Sequence, residues 1–395
     1  MDPEVQLRKY HVSRRANQLS VSGIRKFFDI LASVEGVVSL GVGEPDFSTP
    51  WHISEAAIKS LEKGFTMYTS NLGMPELRQE LSSYLKDHYG LVYNPDSELL
   101  ITVGVSEALD LAMRAIIDPG DEVIMADPCY VAYDACVILA GGKPIKVSTS
   151  EENSFELGAA DVEAQITDQT RAVLIGYPAN PTGAVMSREK LAKIADVARR
   201  HQLLVISDEI YSRLVYGVEH SCFASLAGMK DNTVLLGGFS KAYAMTGWRV
   251  GYAAGPREII STMTKVHQYT MMSAPTMAQI AAIEALKSGE DSVMEMVEDY
   301  NHRRRLIVKG LCEIGLSCFE PKGAFYAFPS IRCTGMTSEE FAERLLTEEK
   351  VAVVHGSAFG QYGEGYIRCC YATSLVDIEE ALNRMRRFVA KYRKA

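Results

Sequence analysis

The 395-residue chain lacks an apolar run long enough to cross a bilayer; its longest hydrophobic stretches are strand-sized. It also lacks a basic tail or stripe. With 41 Lys and Arg against 50 Asp and Glu, the net charge is −9, which argues against nucleic acid or an anionic membrane as the main partner. The first residues, Met1-Asp-Pro-Glu-Val-Gln-Leu-Arg-Lys9, have no apolar signal core, so a cytosolic (cytoplasmic) location is expected. None of the eight cysteines forms a C-x-x-C pair, and none has zinc-like spacing to histidine. Reduced and largely buried thiols are therefore expected, and no metal site. No Gly-x-Gly-x-x-Gly follows a candidate strand, against a nicotinamide dehydrogenase, and no Gly-x-x-x-x-Gly-Lys-Ser/Thr loop occurs. Internal repeats and low-complexity segments are missing too.

What remains is an ordinary globular composition, 47% hydrophobic, in a chain long enough for a large core and two domains. Short apolar strands alternate with helical patterns from about residue 75 to 285. The strand candidates are 99–103, 122–126, 144–148, 172–176, 203–207, 233–237 and 250–254. Helical periodicity marks 106–117, 130–140, 188–201 and 277–287. Such alternation predicts an α/β fold with a mostly parallel seven-stranded sheet and helices on both faces. Ligands of such sheets collect at the carboxyl ends of the strands. From about Ser292 a long charged helix, strand signals at 324–328 and 367–371 and an amphipathic helix from Asp377 to Lys391 predict a smaller α+β domain. The expected division is 1–45 as an N-terminal segment packing on the small domain, 46–288 as the large domain and 289–395 as the small one.

The strand ends carry the chemistry. Ser240-Lys241 follows the strand at 233–237, with Arg249 eight residues beyond the lysine. A lysine past a buried strand can hold its amine in a crevice of low polarity, where the neutral, nucleophilic form is favoured. Ser240 and Arg249 there could grip a phosphate. The alternative is a solvated loop lysine. Gly104-Val-Ser106-Glu107-Ala-Leu109 opens a helix whose free N–H groups suit a phosphate, unless Ser106 is simply its N-cap. Tyr130 can stack on an aromatic ring or merely pack. Asn180, in Tyr177-Pro-Ala-Asn-Pro-Thr-Gly183, has a fixed amide direction able to donate to a ligand oxygen. Asp208 closes an apolar strand, and a buried carboxylate requires a cationic or hydrogen-bonding partner. Asp208 and Glu209 could alternatively hold a metal ion. Tyr211 lies three residues on. The order is thus phosphate loop, aromatic ring, amide, carboxylate, tyrosine, Ser-Lys and arginine, each after a successive strand.

With Ser39-Leu-Gly-Val-Gly-Glu-Pro-Asp-Phe47, Tyr68-Thr-Ser-Asn-Leu-Gly73, Asn180-Pro-Thr-Gly183, Ser207-Asp-Glu-Ile-Tyr211, Ser240-Lys-Ala-Tyr-Ala-Met-Thr-Gly-Trp-Arg249 and Tyr366-Ile-Arg368, the chain resembles the class I/II aminotransferases of pyridoxal-phosphate (PLP) fold type I, the aspartate aminotransferase superfamily. The resemblance covers roughly residues 15 to 390 and is strongest to the bacterial and archaeal branch of aspartate and aromatic aminotransferases. It implies pyridoxal 5'-phosphate held as a Schiff base on Lys241, whose amine then moves the proton at the substrate. It implies Asp208 on the pyridine nitrogen, Tyr211 and Asn180 on the ring oxygen, and Tyr130 stacked on the ring. Ser106, the Glu107 backbone, Ser240 and Arg249 would hold the phosphate, with the Glu107 side chain turned away. Arg368 would fork the substrate α-carboxylate, with Gly43 bringing backbone close to it. Tyr68 would cross to the neighbour's phosphate in a homodimer with shared active sites. The segment around 24–44 would close over substrate. The partners implied are small L-amino acids and 2-oxo acids, with 2-oxoglutarate as acceptor.

Two departures bear on the substrate. The phosphate loop has no lysine, and Gln268-Tyr-Thr-Met-Met-Ser273 has no arginine, so a distal carboxylate lacks its usual cation. Tyr269, Met271 and Met272 lean toward an aromatic or mixed side-chain pocket, with Arg14, Arg15 or Arg25 as other sources of charge. A β-C–S lyase on the same scaffold would share these motifs. A PLP-sensing regulator would need a preceding DNA-binding module, for which a resemblance starting near residue 15 leaves no room.

Overall fold

The computed structural model describes residues 12–19 and 36–394. Much of the expected N-terminal segment, with Arg25, lies outside these residues. Among the described residues, twelve strands form three sheets. β1 (Val38–Ser39) begins the second described stretch. β2 (Leu99–Thr102), β3 (Glu122–Asp127), β4 (Lys143–Ser148), β5 (Thr170–Ile175), β6 (Leu204–Asp208), β7 (Thr233–Gly238) and β8 (Gly251–Ala254) form one sheet in the order β2-β8-β7-β6-β5-β3-β4. Only β8 runs against the others: it pairs antiparallel with β2 and β7, while β3, β4, β5, β6 and β7 are parallel to one another. The seven expected strands are therefore all present, with boundaries within two residues.

Their near-continuous apolar runs reflect burial on both faces. Leu235 faces a core shared with the helices Trp51–Glu62, Pro75–Tyr89 and Thr276–Ser288, whereas Val234 and Leu236 face one shared with Gly104–Ile116 and Arg257–Thr270. This two-residue alternation sends every second side chain to the opposite helical layer. The helix Arg188–Arg200 buries Leu191, Ile194, Ala195 and Ala198 at helical spacing, and Ser187 caps it by accepting from Lys190 N at 3.3 Å.

The remaining strands are β9 (Tyr326–Ala327), β10 (Val351–Ala352), β11 (Val354–His355) and β12 (Ile367–Cys370), with β11-β12-β9 as an antiparallel sheet. With the helices Glu290–Glu313, Ser338–Glu349 and Leu375–Tyr392 they enclose a separate core containing Tyr300, Phe325, Phe341 and Phe388. The stretch after β1 belongs structurally to this part: β1 pairs parallel with β10, and Cys370 N donates to Leu40 O at 2.7 Å.

One helix boundary differs from expectation in a way that matters. The first helix after β2 starts at Gly104 rather than Ser106, because Gly104 adopts a φ of +73° that glycine tolerates and so turns the chain straight from strand into helix. Ser106 consequently sits in the first turn and is not the N-cap. All eight cysteines are free thiols. No helix among the described residues is long and apolar enough to cross a membrane.

Candidate active site

The carboxyl ends of β3, β5, β6 and β7 meet the start of the helix Gly104–Ile116 and the chain after β1 around a cavity of about 660 Å³. Ser106, Tyr130, Asn180, Asp208, Tyr211, Ser240, Lys241, Arg249, Gly43 and Arg368 all line it. Of the residues singled out in the sequence, Glu107 and Tyr68 do not.

Lys241 leaves the turn after β7 and its Nζ donates to Gly43 O at 2.7 Å, 5.7 Å from the centre of the Phe325 ring. Burial pulls its amine down to about 8, and the nearby Arg368 and Arg249 cations act in the same direction against Cys370 and Glu44. The amine is thus closer to neutral than in a solvated lysine, as the strand-end position suggested.

Asp208 ends β6 and is 6% exposed. Its Oδ2 accepts from Tyr133 Oη at 2.8 Å and its Oδ1 from Ile210 N at 3.1 Å. Burial pushes the carboxyl up to about 6, with these two donors holding it down. Glu209 points elsewhere. Its Oε1 accepts from Ser207 Oγ at 2.7 Å, and its Oε2 pairs with His220. Although burial opposes it, His220, Ser207 and Phe223 N–H keep this carboxylate below its ordinary range. Adjacent strand residues face opposite sides, so the two carboxylates do not converge on one ion.

Asn180 Oδ1 accepts from Arg368 Nη1 at 3.0 Å, leaving the Asn180 amide nitrogen for the cavity. Arg368 Nη2 donates to Gly41 O at 2.7 Å, and the guanidinium lies against the rings of Tyr326 and Phe359 at 4.5 and 4.9 Å. Its Nε is buried with no partner, and no carboxylate among the described residues bonds this 3%-exposed cation.

At the other end, Arg249 adopts a φ of +54° and donates from Nη1 to Thr246 O at 3.1 Å. A Cβ on Gly104 would lie 2.5 Å from Arg249 Nη2, so the glycine makes room for the guanidinium beside the helix start. Ser106, Ser240 and Arg249 line the cavity beside the helix's first turn, a set of hydroxyl, guanidinium and N–H donors of the kind that suits an anion. The Glu107 side chain turns away from it, as expected for an acid beside an anion site. Glu107 Oε2 accepts from Val103 N at 2.5 Å, and Oε1 bonds His267 Nδ1 at 2.7 Å.

Tyr133, Tyr326 and Gly41 were not singled out in the sequence. Tyr133 follows Tyr130 by three residues at the start of a helical segment, and that spacing was the available signal. Tyr326 and Gly41 reach the cavity from the C-terminal part and the β1 stretch, with no local pattern to mark them. Arg14 and Arg15 do not line the cavity; the Arg15 guanidinium sits within 3.2 Å of where a Gly141 Cβ would be.

The model of the family "Aminotransferase class I and II" matches residues 35–385. YugH of Bacillus subtilis is 56% identical over 381 residues, 96% of this chain and 99% of that protein. An aspartate aminotransferase of Pyrococcus abyssi is 46% identical over 377 residues, 95% of this chain and 97% of its own length. The crystal structure of an aromatic aminotransferase from Pyrococcus horikoshii superposes with a TM-score of 0.89 at 45% identity, covering 92% of this chain and 99% of that one.

Proposed function

Because this chain belongs to the class I and II aminotransferases, a pyridoxal-phosphate-dependent family, we propose that its cavity binds PLP and moves an amino group from an aspartate-like, aromatic or hydrophobic L-amino acid to 2-oxoglutarate. The observation that carries this reading is a single cavity faced by a depressed lysine amine, a buried carboxylate and an arginine fork. The residues fit the cofactor. The cradle of Ser106, Ser240 and Arg249 suits its phosphate, and Asp208 suits a ring N–H.

Bound there, the cofactor supplies an electron sink conjugated to the substrate Cα. Lys241 would hold it and its amine would serve as the base that takes the Cα proton. The Asp208 carboxylate accepts the ring N–H, and Tyr133 and Ile210 N–H aim it. Tyr211 and the free Asn180 amide would donate to the ring oxygen, and Tyr130 would lie against the ring. Arg368 binds the α-carboxylate, whose charge it meets with no competing carboxylate beside it. The chain at 39–47 is tied to the C-terminal core by β1, by Leu40 and by Asp46, whose carboxylate accepts from Arg303 at 2.8 Å. It therefore closes with that part, and closure keeps water from the Cα anion.

The named relatives support both an aspartate and an aromatic side-chain class. The cavity adds no cation beyond Lys241, Arg249 and Arg368 among the described residues.

A homodimer completes the site. Met67, Tyr68 and Tyr269 are 79%, 81% and 86% exposed, and Met271 and Met272 are exposed beside them. Asn71 Nδ2 donates to Met272 O at 2.7 Å, which joins the two segments into one apolar face. Such a face marks an interaction surface. With Tyr68 reaching the partner's phosphate cradle, Tyr68→Phe is expected to raise the dissociation constant for PLP about 10- to 100-fold, the worth of one charge-assisted hydrogen bond. Unchanged cofactor retention, followed by dialysis and absorbance, would remove Tyr68 from the site.

The function is tested by a half-reaction screen. The yellow protein is mixed with single amino acids and no keto acid. Loss of the visible absorbance, restored by 2-oxoglutarate, is expected, and the ranking gives the side-chain class. Keto acid and ammonia formed beyond one equivalent without acceptor would identify a lyase, and failure to take up PLP would overturn the reading.

A further inference from the structure

Tyr326 has no part in the chemistry assigned so far, yet it touches three of the groups that carry it. It comes from β9 in the C-terminal core and is 1% exposed, and it lines the cavity. Its Oη lies 2.7 Å from Tyr211 Oη and 3.5 Å from Gly43 O. Its ring lies against the Arg368 guanidinium at 4.5 Å. A Cβ at residue 43 would lie 2.5 Å from the Tyr326 hydroxyl, so the glycine there leaves the space that the hydroxyl fills.

A phenol has one proton to give. Of the two acceptors in reach, Gly43 O already accepts from Lys241 at 2.7 Å and is the more distant from Tyr326. Either hydroxyl can donate in the 2.7 Å contact; with the Tyr326 proton placed there rather than on the 3.5 Å Gly43 contact, Tyr211 is the acceptor. Tyr211 has no other bonded partner among the described residues, so its own proton is left to point into the cavity. If Tyr326 did not donate, Tyr211 could spend its proton on its neighbour and present only lone pairs to a ligand oxygen. Burial pushes both phenols above their ordinary range, so both keep their protons at neutral pH. The charged and ionisable groups facing the pair are Arg368, Lys241, Tyr130 and the Cys370 thiol.

We propose that Tyr326 is a positioning residue: by donating to Tyr211 it fixes Tyr211 as a hydrogen-bond donor toward the cofactor's ring oxygen, while its ring braces Arg368. This rests on the functional reading above and deepens it. It links the part of the molecule that closes over substrate to the group that sets the cofactor's electronic state.

The test is an absorbance titration of the PLP-bound protein without substrate, for wild type, Tyr326→Phe, Tyr211→Phe and the double variant. A donor to the ring oxygen favours its ionised form and holds down the pH midpoint of the visible band. Tyr326→Phe is expected to raise that midpoint by about half to one pH unit, the worth of one hydrogen bond. Tyr211→Phe should raise it further, and the double variant should match Tyr211→Phe alone, because the two act as one unit. Since Tyr326→Phe keeps the ring, binding of a non-reacting dicarboxylate such as maleate should stay within about twofold of wild type. Tyr326→Leu, which removes the ring from Arg368, should weaken maleate binding several-fold. An unshifted midpoint in Tyr326→Phe, or a double variant in which the shifts simply add, overturns the donor relay. Unchanged maleate binding in Tyr326→Leu overturns the brace. A wild-type protein that takes up no PLP overturns the functional reading and this inference with it, so the failures are distinct.

Discussion

Replacing Lys241 by alanine is expected to abolish turnover, with a loss of kcat of at least about 10⁴-fold, while the protein keeps its fold. The size follows from two roles lost together: the attachment point and the proton-transfer base, the latter alone typically worth 10²–10⁴. The fold should survive because the amine's hydrogen bond is to a backbone carbonyl, Gly43 O at 2.7 Å, and its removal releases a desolvation cost. The sharper variant is Lys241→Arg. It keeps the positive charge and a donor for Gly43 O, but a guanidinium cannot lose a proton near neutral pH. With the lysine amine held at about 8, its neutral form at pH 7 is on the order of a hundred-fold or more above that of an ordinary lysine. If the neutral amine is what matters, Arg fails as completely as Ala. Turnover by Lys241→Arg above a few per cent of wild type, measured with the donor that ranks first in the half-reaction screen, would show that charge alone suffices and would sink the assignment. The same shift gives a pH expectation. In the apo protein Lys241 holds fewer protons than in the unfolded chain between about pH 8 and the ordinary lysine range, so stability rises with pH there. Lys241→Ala should flatten that rise in melting curves.

The sequence carried the parts of this site that sit where a strand stops. Asp208 and Lys241 each follow a buried apolar run, so their depth and direction follow from where the sheet ends. That is why the α/β class, the seven strands and the order of the polar strand ends were readable. The reversed direction of β8 was not, because an apolar run of four residues reads alike in either direction. Nor was Tyr326, which is 115 residues from Tyr211 although both lie in one hydrophobic cluster. No periodicity spans that separation; only the pairing of β9 with β12, which also carries Arg368, brings it to the cavity. Gly41 and Gly43 arrive the same way, through the pairing of β1 with β10. These cavity residues thus depend on pairings between segments far apart in sequence, which local patterns do not encode.

The arrangement around Arg368 leads to the second large effect. A cation this deeply buried costs free energy unless its donors are met. Here the partners are neutral: the Asn180 amide oxygen, the Gly41 carbonyl and two aromatic faces, with Nε left over. Those contacts orient the fork without cancelling its charge, and a substrate α-carboxylate supplies the missing anion. Arg368→Ala is therefore expected to raise KM by ~30-fold to several thousand-fold, corresponding to about 2–5 kcal/mol for a lost buried charge pair. Every amino acid shares the α-carboxylate, so the factor should be similar for aspartate and for phenylalanine. Arg368→Lys should fall between, since it keeps the charge but not the two-pronged contact. It also serves as the control for packing, because alanine empties the space between Tyr326 and Phe359 and lysine does not. If the KM increase appears with one side-chain class and not the other, Arg368 contacts the distal end of the substrate, and the α-carboxylate must be held by another group.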